Sequence, residues 1–288
     1  MTRKRFVVRI VGAVALLILG GLVLFSALDI ILSNDVLTVA EYDVESPKIN
    51  DTITIVQLSD LHNYSFGYEN QDLVALVAAQ QPHLIAVTGD MIVTTQNDVQ
   101  TAVTLCKKLV EIAPVYYSLG NHETDNFALF GDTLTQQLAD CGVIVLEREY
   151  VDVEINGNAI RIGGVSGYPY TGEYRDFDTV EFMQSFDAPD CFKLLLAHQP
   201  EGMVCWGGME KYDIDLTLSG HTHGGQVKIP LIGVLYAPDQ GRFPKYVEGI
   251  FYKGGDTLII NRGLGSSGIV PRFNNPSEIV VVKLSNCG

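Results

Sequence analysis

The 288-residue chain is 47% hydrophobic and carries 34 acidic against 19 basic residues, a formal net charge of −15. That length suffices for one large packed domain or two small ones. The acidic balance repels nucleic-acid backbones and anionic surfaces over long range, which argues against a nucleic-acid scaffold; a phosphate group can still bind where cations supply the charge locally. Nothing in the composition points to an obligate protein partner.

Ile10 to Leu28 is a run of 19 residues without a charge, close to the roughly 20 that cross a bilayer as a helix. Arg3, Lys4, Arg5 and Arg9 precede it and Asp29 and Asp35 follow, so the positive-inside rule leaves residues 1–9 as a cytoplasmic tail. Residues 10–28 are expected to be an uncleaved, single-pass signal anchor, with the rest of the chain extracytoplasmic at the cell membrane. A cleaved signal peptide has the same polarity, but its apolar stretch is about 7–15 residues and ends in small residues, which FSALDI matches poorly. Beyond the span lie all the acidic residues but only 15 of the basic ones. The five cysteines form no CxxC pair; buried free thiols are the default, and an oxidising compartment would permit disulfides that sequence cannot pair.

Residues 29–51 are read as a connector with a first edge strand, VLTVAEYDV. From residue 52 to 286 one domain is expected, built from short apolar runs that each lead into a polar cluster. TITIVQL leads into SDLHN, LIAVT into GD, VYYSL into GNHE, KLLLA into HQP and IDLTL into SGHTHGGQ. The runs, rich in β-branched and aromatic residues, read as buried strands. ENQDLVALVAAQQ and DVQTAVTLCKKLVEIA space their apolar residues at three and four, as amphipathic helices do. VDVEINGNAIRIGGV alternates around an Asn-Gly turn, and FYKGGDTLIINRGLG and SEIVVVKL add strands near the end. The fold class is therefore α/β: two sheets flanked by helices, with parallel strands early and antiparallel hairpins later. In such sheets ligands bind outside the carboxyl ends of the strands, where every polar cluster stands.

Five of the six histidines, His62, His122, His198, His221 and His223, fall in those clusters; the sixth, His83, stands at a strand entry and reads as structural. In SGHTHGGQ, flanking glycines favour a loop that can aim two imidazoles at a common point. With Asp60, Asp90 and Asn121 the set has too many oxygen donors for a four-ligand structural zinc site. Mixed carboxylate, amide and imidazole donors suit a pair of divalent ions such as Mn, Fe or Zn.

In order and spacing, Asp60-Leu61-His62, Gly89-Asp90, Gly120-Asn121-His122-Glu123, His198 and Gly220-His221-Thr222-His223 resemble the motif set of the calcineurin-like metallophosphoesterases, and the anchored form resembles the membrane-associated bacterial branch. The resemblance implies a four-layer α/β/β/α domain and two divalent metal ions. It implies that Asp60, His62 and His223 hold the first ion, that Asn121, His198 and His221 hold the second, and that Asp90 bridges them. His122 would be the general acid that protonates the leaving alkoxide. Protein Ser/Thr phosphatases of the family carry Asp and Arg at the third and fourth positions after the bridging Asp; Val93 and Thr94 stand there in this chain. That leaves the orienter of His122 unassigned and argues against a phosphoprotein phosphatase. Arg262 and Arg272 are candidate substrate contacts, with salt-bridge or capping roles open. Glu123 reads as a turn residue or a support for the ligands, and Trp206 and Tyr168–Tyr170 as loop residues that wall the pocket or simply pack.

The expected activity is metal-dependent hydrolysis of phosphate esters, with phosphodiester or pyrophosphate bonds favoured and lipid-linked substrates at the membrane surface suggested by the anchor. The alternatives are a phosphomonoesterase and a non-catalytic metal-binding scaffold.

Overall fold

A computed structural model of the chain describes residues 3–167, 177–266, 268 and 270–287. Its first element is one long helix, α1 (Arg3–Asp35). Within Ile10–Asp35, an 18-residue run has a mean hydropathy of 2.6 and is not buried, so α1 is long and apolar enough to cross a bilayer, a property that anchors and signal sequences share. The helix does not stop at Leu28 but runs on to Asp35, into residues expected to be connector. Asp29, Ser33 and Asn34 look like loop residues in sequence, yet they lie on the helix and bond to the domain.

Twelve strands form two six-stranded sheets. The first sheet contains β1 (Leu37–Glu45), β2 (Ile53–Leu58), β3 (Leu84–Thr88), β4 (Val115–Ser118), β5 (Ile144–Leu146) and the C-terminal β16 (Ser277–Ser285). It is ordered β1-β16-β2-β3-β4-β5, so β1 is the edge strand the sequence suggested. β2 to β5 run parallel, and β16 enters antiparallel to β2 and parallel to β1. The second contains β6 (Glu149–Ile155), β7 (Asn158–Val165), β8 (Phe192–Ala197), β9 (Leu216–Ser219), β14 (Gly249–Lys253) and β15 (Asp256–Ile260), in the order β14-β15-β9-β8-β7-β6. Between β9 and β14 lie two small hairpins, β10 (Lys228–Ile229) with β11 (Gly233–Val234) and β12 (Tyr236–Ala237) with β13 (Gly241–Arg242).

The second sheet is less antiparallel than the sequence suggests. β7, β8, β9 and β15 are all parallel, and hairpin pairs occur only at its two margins. Parallel neighbours need crossover connections; α6 (Phe177–Asp187) lies in the one between β7 and β8, and the small hairpins with β14 make the one between β9 and β15. The β6–β7 hairpin is closed by Asn156 and Gly157, both at positive φ, as a tight turn matched to strand twist requires.

Alternate residues of each strand serve different cores. Val56, Ile85 and Val115 face α2 (Gln71–Ala79) and α3 (Gln100–Leu109), meeting Leu73, Val77, Leu105 and Leu109. Ile55, Ala86 and Tyr116 face the second sheet and meet Ile162, Leu194 and Leu218. Leu195, Leu258 and Ile260 on the far side of that sheet are covered by Phe182, Met183 and Phe186 of α6. The result is the expected four layers, helices, sheet, sheet, helices. The carboxyl ends of β2, β3 and β4 in one sheet and β8 and β9 in the other open on the same side. All five cysteines are free thiols, but only Cys106 is buried; Cys205 and Cys287 are exposed.

Candidate metal centre

Each expected ligand stands in the turn that leaves the carboxyl end of a strand, His198 directly after β8 and the others a few residues further on. The loops after β2 and β3 run alongside each other, with Asp60 N–H donating to Gly89 O, His62 N–H to Asp90 O and Asn63 N–H to Met91 O, each at 3.0 Å. Asp60, His62, Asp90, His221 and His223 all sit in the left-handed region, with φ between 49° and 69°. For residues that carry a Cβ this costs about 1–2 kcal/mol each, and such strain collects where a site is held by its surroundings. Two motif glycines are required by close approach. A Cβ on Gly120 would land on the Asp90 carboxylate, and one on Gly220 would land on Ser59 and Asp60.

The side chains form two clusters, Asp60-His62-His223 and Asp90-His198-His221, linked by a third group of His62, Asp90 and His122. Asp60, His62 and His223 offer donor atoms within 4.8 Å of one another; so do Asp90, His198 and His221, and so do His62, Asp90 and His122. His62 Nε2 and His223 Nε2 are 3.2 Å apart, with His223 Nε2 at 3.5 Å from Asp60 Oδ1. Asp90 Oδ2 lies 3.1 Å from His198 Nε2 and 3.9 Å from both His62 Nε2 and His122 Nε2. Backbone N–H groups fix the carboxylates: His221 N–H donates to Asp60 and His122 N–H to Asp90 Oδ1. Thr222 turns away, its hydroxyl donating to Val247 O.

The donor set fits a pair of divalent ions. Among the described residues, Asn121 Oδ1 is buried with no hydrogen-bond partner, and so is His198 Nε2 apart from its 3.1 Å approach to Asp90 Oδ2. His198 Nδ1 faces Thr88 O at 2.6 Å, which assigns the hydrogen to Nδ1 and leaves Nε2 for a cation. Burial, together with neighbouring His122, His198 and Arg272, depresses the His62 pKa to about 3, against the pull of Asp90. Burial, His62 and Arg272 likewise hold His223 well below the ordinary value. Both rings are thus neutral ligands at neutral pH. Burial opposes charge on His198 too, but the Asp90 carboxylate outweighs it and pushes His198 up to about 10. The same pairing outweighs burial at Asp90 and holds that carboxyl below its usual range. Asp60 is pushed up by burial and by the Asp90 charge. Two carboxylates this close and this dry call for positive charge between them.

Three supports were not read as such from the sequence. His221 Nε2 lies 2.9 Å from Asp239 Oδ2, which leaves Nδ1 as the ring's other donor. Glu201, fully buried, reaches the same group. Thr94 meets His122 Nδ1 and is the orienter that was missing. Glu123, at the start of α4 (Asn121–Phe130), accepts four hydrogen bonds at 2.8 Å, from the N–H groups of Asp90, Met91 and Gly120 and from the Tyr117 hydroxyl. Burial and Asp90 push its pKa up, and those four donors offset the cost. It ties the β3 and β4 loops together.

The two arginines are placed differently. Arg262 turns its guanidinium to Glu278 and Thr38, away from the cluster. Three neighbouring acceptors on β1, β16 and Glu248 capture it. Arg272 is fully buried, donates to Gly265 O and Arg262 O, and brings Nη2 to 3.5 Å from His223 Nδ1. Its Nη1 has no partner among the described residues. His83 accepts from Thr54 N–H at the far end of β3, a structural role. Trp206 is exposed beyond Glu201, while Tyr168–Tyr170 lie outside the described residues.

Against known proteins, the profile of the calcineurin-like phosphoesterase family matches residues 53–225, which takes in every ligand above. The chain is 28% identical over 247 residues to the metallophosphoesterase YkuE of Bacillus subtilis (strain 168), covering 82% of this chain and 80% of that one. It is 29% identical over 238 residues to the phosphodiesterase YaeI of Escherichia coli (strain K12), covering 80% and 81%. Among solved structures, a 5'-nucleotidase precursor from Thermus thermophilus superposes with a TM-score of 0.48 at 15% identity, covering 75% of this chain and 50% of that one.

Proposed function

The chain belongs to the calcineurin-like phosphoesterase family, and we propose that it is a membrane-anchored phosphodiesterase working with two divalent ions. It is a metal-dependent phosphoesterase by family; the assignments of individual residues, bond type and location are this reading's own. The single observation that carries them is the position of Asp90: it groups with His62 of the first cluster on one side and with His198 and His221 on the other, its Oδ2 3.9 Å from His62 Nε2 and 3.1 Å from His198 Nε2, where it would serve both ions. Asp60, His62 and His223 would hold one ion, and Asn121, His198 and His221 the other. When bound, such a pair activates water at neutral pH and neutralises the charge that grows on the phosphoryl oxygens.

The chain's own residues do the rest. The His62 and His223 imidazoles are presented uncharged, and the left-handed backbone at five of the seven ligands fixes their directions before an ion arrives. His122 stands beside Asp90 with Nε2 inward, where it hands a hydrogen to the departing oxygen. Arg272 presses on the His223 side and keeps Nη1 for a phosphoryl oxygen. Support for a diester over a monoester dianion comes from Val93 and Thr94, where an arginine would be expected in a phosphoprotein phosphatase, from the diversion of Arg262 to Glu278, and from the similarity to a phosphodiesterase. In this reading residues 1–9 are a cytoplasmic tail, residues 10–28 of α1 the anchor, and the phosphoesterase domain runs from about residue 52 to 286 on the outer face of the membrane, with β1 added to its first sheet as an edge strand.

The test uses the full chain in detergent, assayed on bis-p-nitrophenyl phosphate and p-nitrophenyl phosphate with and without Mn(II). Metal-dependent release from the diester, lost together with metal content in Asp90→Ala, is expected. Absence of metal-dependent release from either compound would favour the scaffold reading, and preference for the monoester would overturn the bond assignment.

A further inference from the structure

The loops that follow His223 carry a group of large apolar side chains with no protein cover. Leu231, at the tip between β10 and β11, is 109% exposed; Ile232, Tyr236 and Phe243 are all above 60%, and Val270 is at 55%. They are neighbours, because Tyr236 pairs with Arg242 and Phe243 N–H donates to Leu235 O. Gln226 bonds Val270 O, and Lys228 N–H bonds Phe273 O. Single exposed apolar residues are ordinary, but a contiguous set of this kind marks a surface made to be covered.

The same loops are tied to the end of the apolar helix. Asn274 N–H donates to Asp29, the first charged residue after the apolar run, and Asn274 Nδ2 donates to Lys228 O at the base of the hairpin. Asn275 N–H reaches Ser33 Oγ at 3.2 Å, and Asn275 Nδ2 donates to His223 O at 2.7 Å. One two-residue segment thus joins the helix exit, the apolar hairpin and the ligand loop. If α1 crosses a bilayer, Asp29 lies at its polar boundary, and Asn274 is at headgroup depth. Leu231 is three residues from Lys228, a reach of roughly 10 Å, enough to enter the acyl region. Arg242 and Lys245, both exposed beside Phe243, are placed for lipid phosphates.

We infer that the β10–β13 loops form a lip that enters the same leaflet that α1 crosses, so that the metal centre opens onto the headgroup layer and takes phosphodiesters of membrane lipids as substrate. The covering partner is the bilayer itself, since the patch is continuous with the helix that spans it. The inference rests on reading α1 as an anchor and on the phosphodiesterase assignment.

The experiment uses the full chain in phosphatidylcholine nanodiscs with plain or brominated acyl chains, with the parent protein giving the background from Trp206. Leu231→Trp is expected to add blue-shifted emission that brominated chains quench. Water-like emission, unchanged by bromine, would overturn the lip. Ile18→Trp, in the middle of α1, separates this from failure of the anchor: an unquenched residue 18 rejects the anchor itself. In the same discs, Leu231→Glu with Phe243→Glu should lower turnover of a disc-embedded phosphatidyl ester while leaving soluble bis-p-nitrophenyl phosphate turnover unchanged. Equal turnover of the embedded ester by parent and variant would overturn the substrate assignment. A parent that hydrolyses neither compound would reject the phosphodiesterase reading, with the quenching result standing by itself.

Discussion

Thr94 contacts His122 Nδ1 twice: its hydroxyl lies 2.9 Å away and its backbone N–H donates at 3.1 Å. A peptide N–H can only donate, so Nδ1 holds the lone pair and the hydrogen of the neutral ring is on Nε2, the atom facing Asp90. Buried Asn126 secures the arrangement, its Nδ2 donating to Val93 O, Thr94 O and Gln96 O. Where phosphoprotein phosphatases use a carboxylate, this chain sets the tautomer with its main chain.

Thr94→Val keeps the peptide donor and removes the hydroxyl. One neutral hydrogen bond is worth about 1 kcal/mol, so kcat should fall about fivefold for a diester with an alkyl leaving group. Nitrophenyl substrates, whose leaving group needs no proton, should be nearly unaffected. His122→Ala should lose about 10²–10⁴-fold on the alkyl diester. Equal losses on both substrate types would assign Thr94 to folding instead of ring orientation.

Asp239 holds His221 from behind, as carboxylates hold ligating histidines generally, and loss of such a partner weakens metal binding about 10–100-fold. Asp239→Ala should therefore retain one ion and shed the other when dialysed against a graded chelator, with metal content read by mass spectrometry. Loss of both ions together would mean that the two clusters do not bind independently.

Glu123→Gln places an NH₂ group opposite two donors wherever it turns. Opposite Met91 N–H and the Tyr117 hydroxyl the clash is smaller, because the hydroxyl can reverse and accept. A loss of about 1–3 kcal/mol is expected, seen as a lower urea midpoint with unchanged slope.

Asp256 stands at the start of β15, the end of the parallel strands opposite the ligand loops. Burial, together with Asp213, Asp215 and Asp187, pushes its pKa up to about 7, and its Oδ2 has no hydrogen-bond partner among the described residues. The folded state therefore binds a proton that the unfolded chain releases near pH 4. The stability this contributes is complete below pH 4 and is lost as the pH rises through 7. Asp256→Asn should match the wild type near pH 4 and have the higher Tm at pH 8; an unchanged Tm difference across that range would show that the carboxyl titrates normally.

Much of the site was legible because its chemistry lies in side chains at strand ends: Asp60, Asp90, Asn121 and the five histidines each follow a buried apolar run. Thr94 was not legible, since a main-chain N–H makes half of its contact and any residue but proline supplies one. Asp239 stands in PDQGRF, which reads as an ordinary turn, and only the folded loop brings it to His221. The parallel core of the second sheet was obscured by its hairpin margins, where alternation is visible. Asp29, Ser33 and Asn34 hid the true end of α1 because polar residues that bond to a domain look the same in sequence as polar residues in a linker.

The left-handed backbone at Asp60, His62, Asp90, His221 and His223 sets thermal hardiness against chemistry. At each position glycine would relieve the local backbone cost, even though it adds freedom to the unfolded chain. A selection for heat resistance alone, with no demand for turnover, would therefore drift toward glycine at these five sites. Its survivors would be sturdier molecules with empty metal sites, and ligand retention should be screened alongside melting temperature in any attempt to harden this protein.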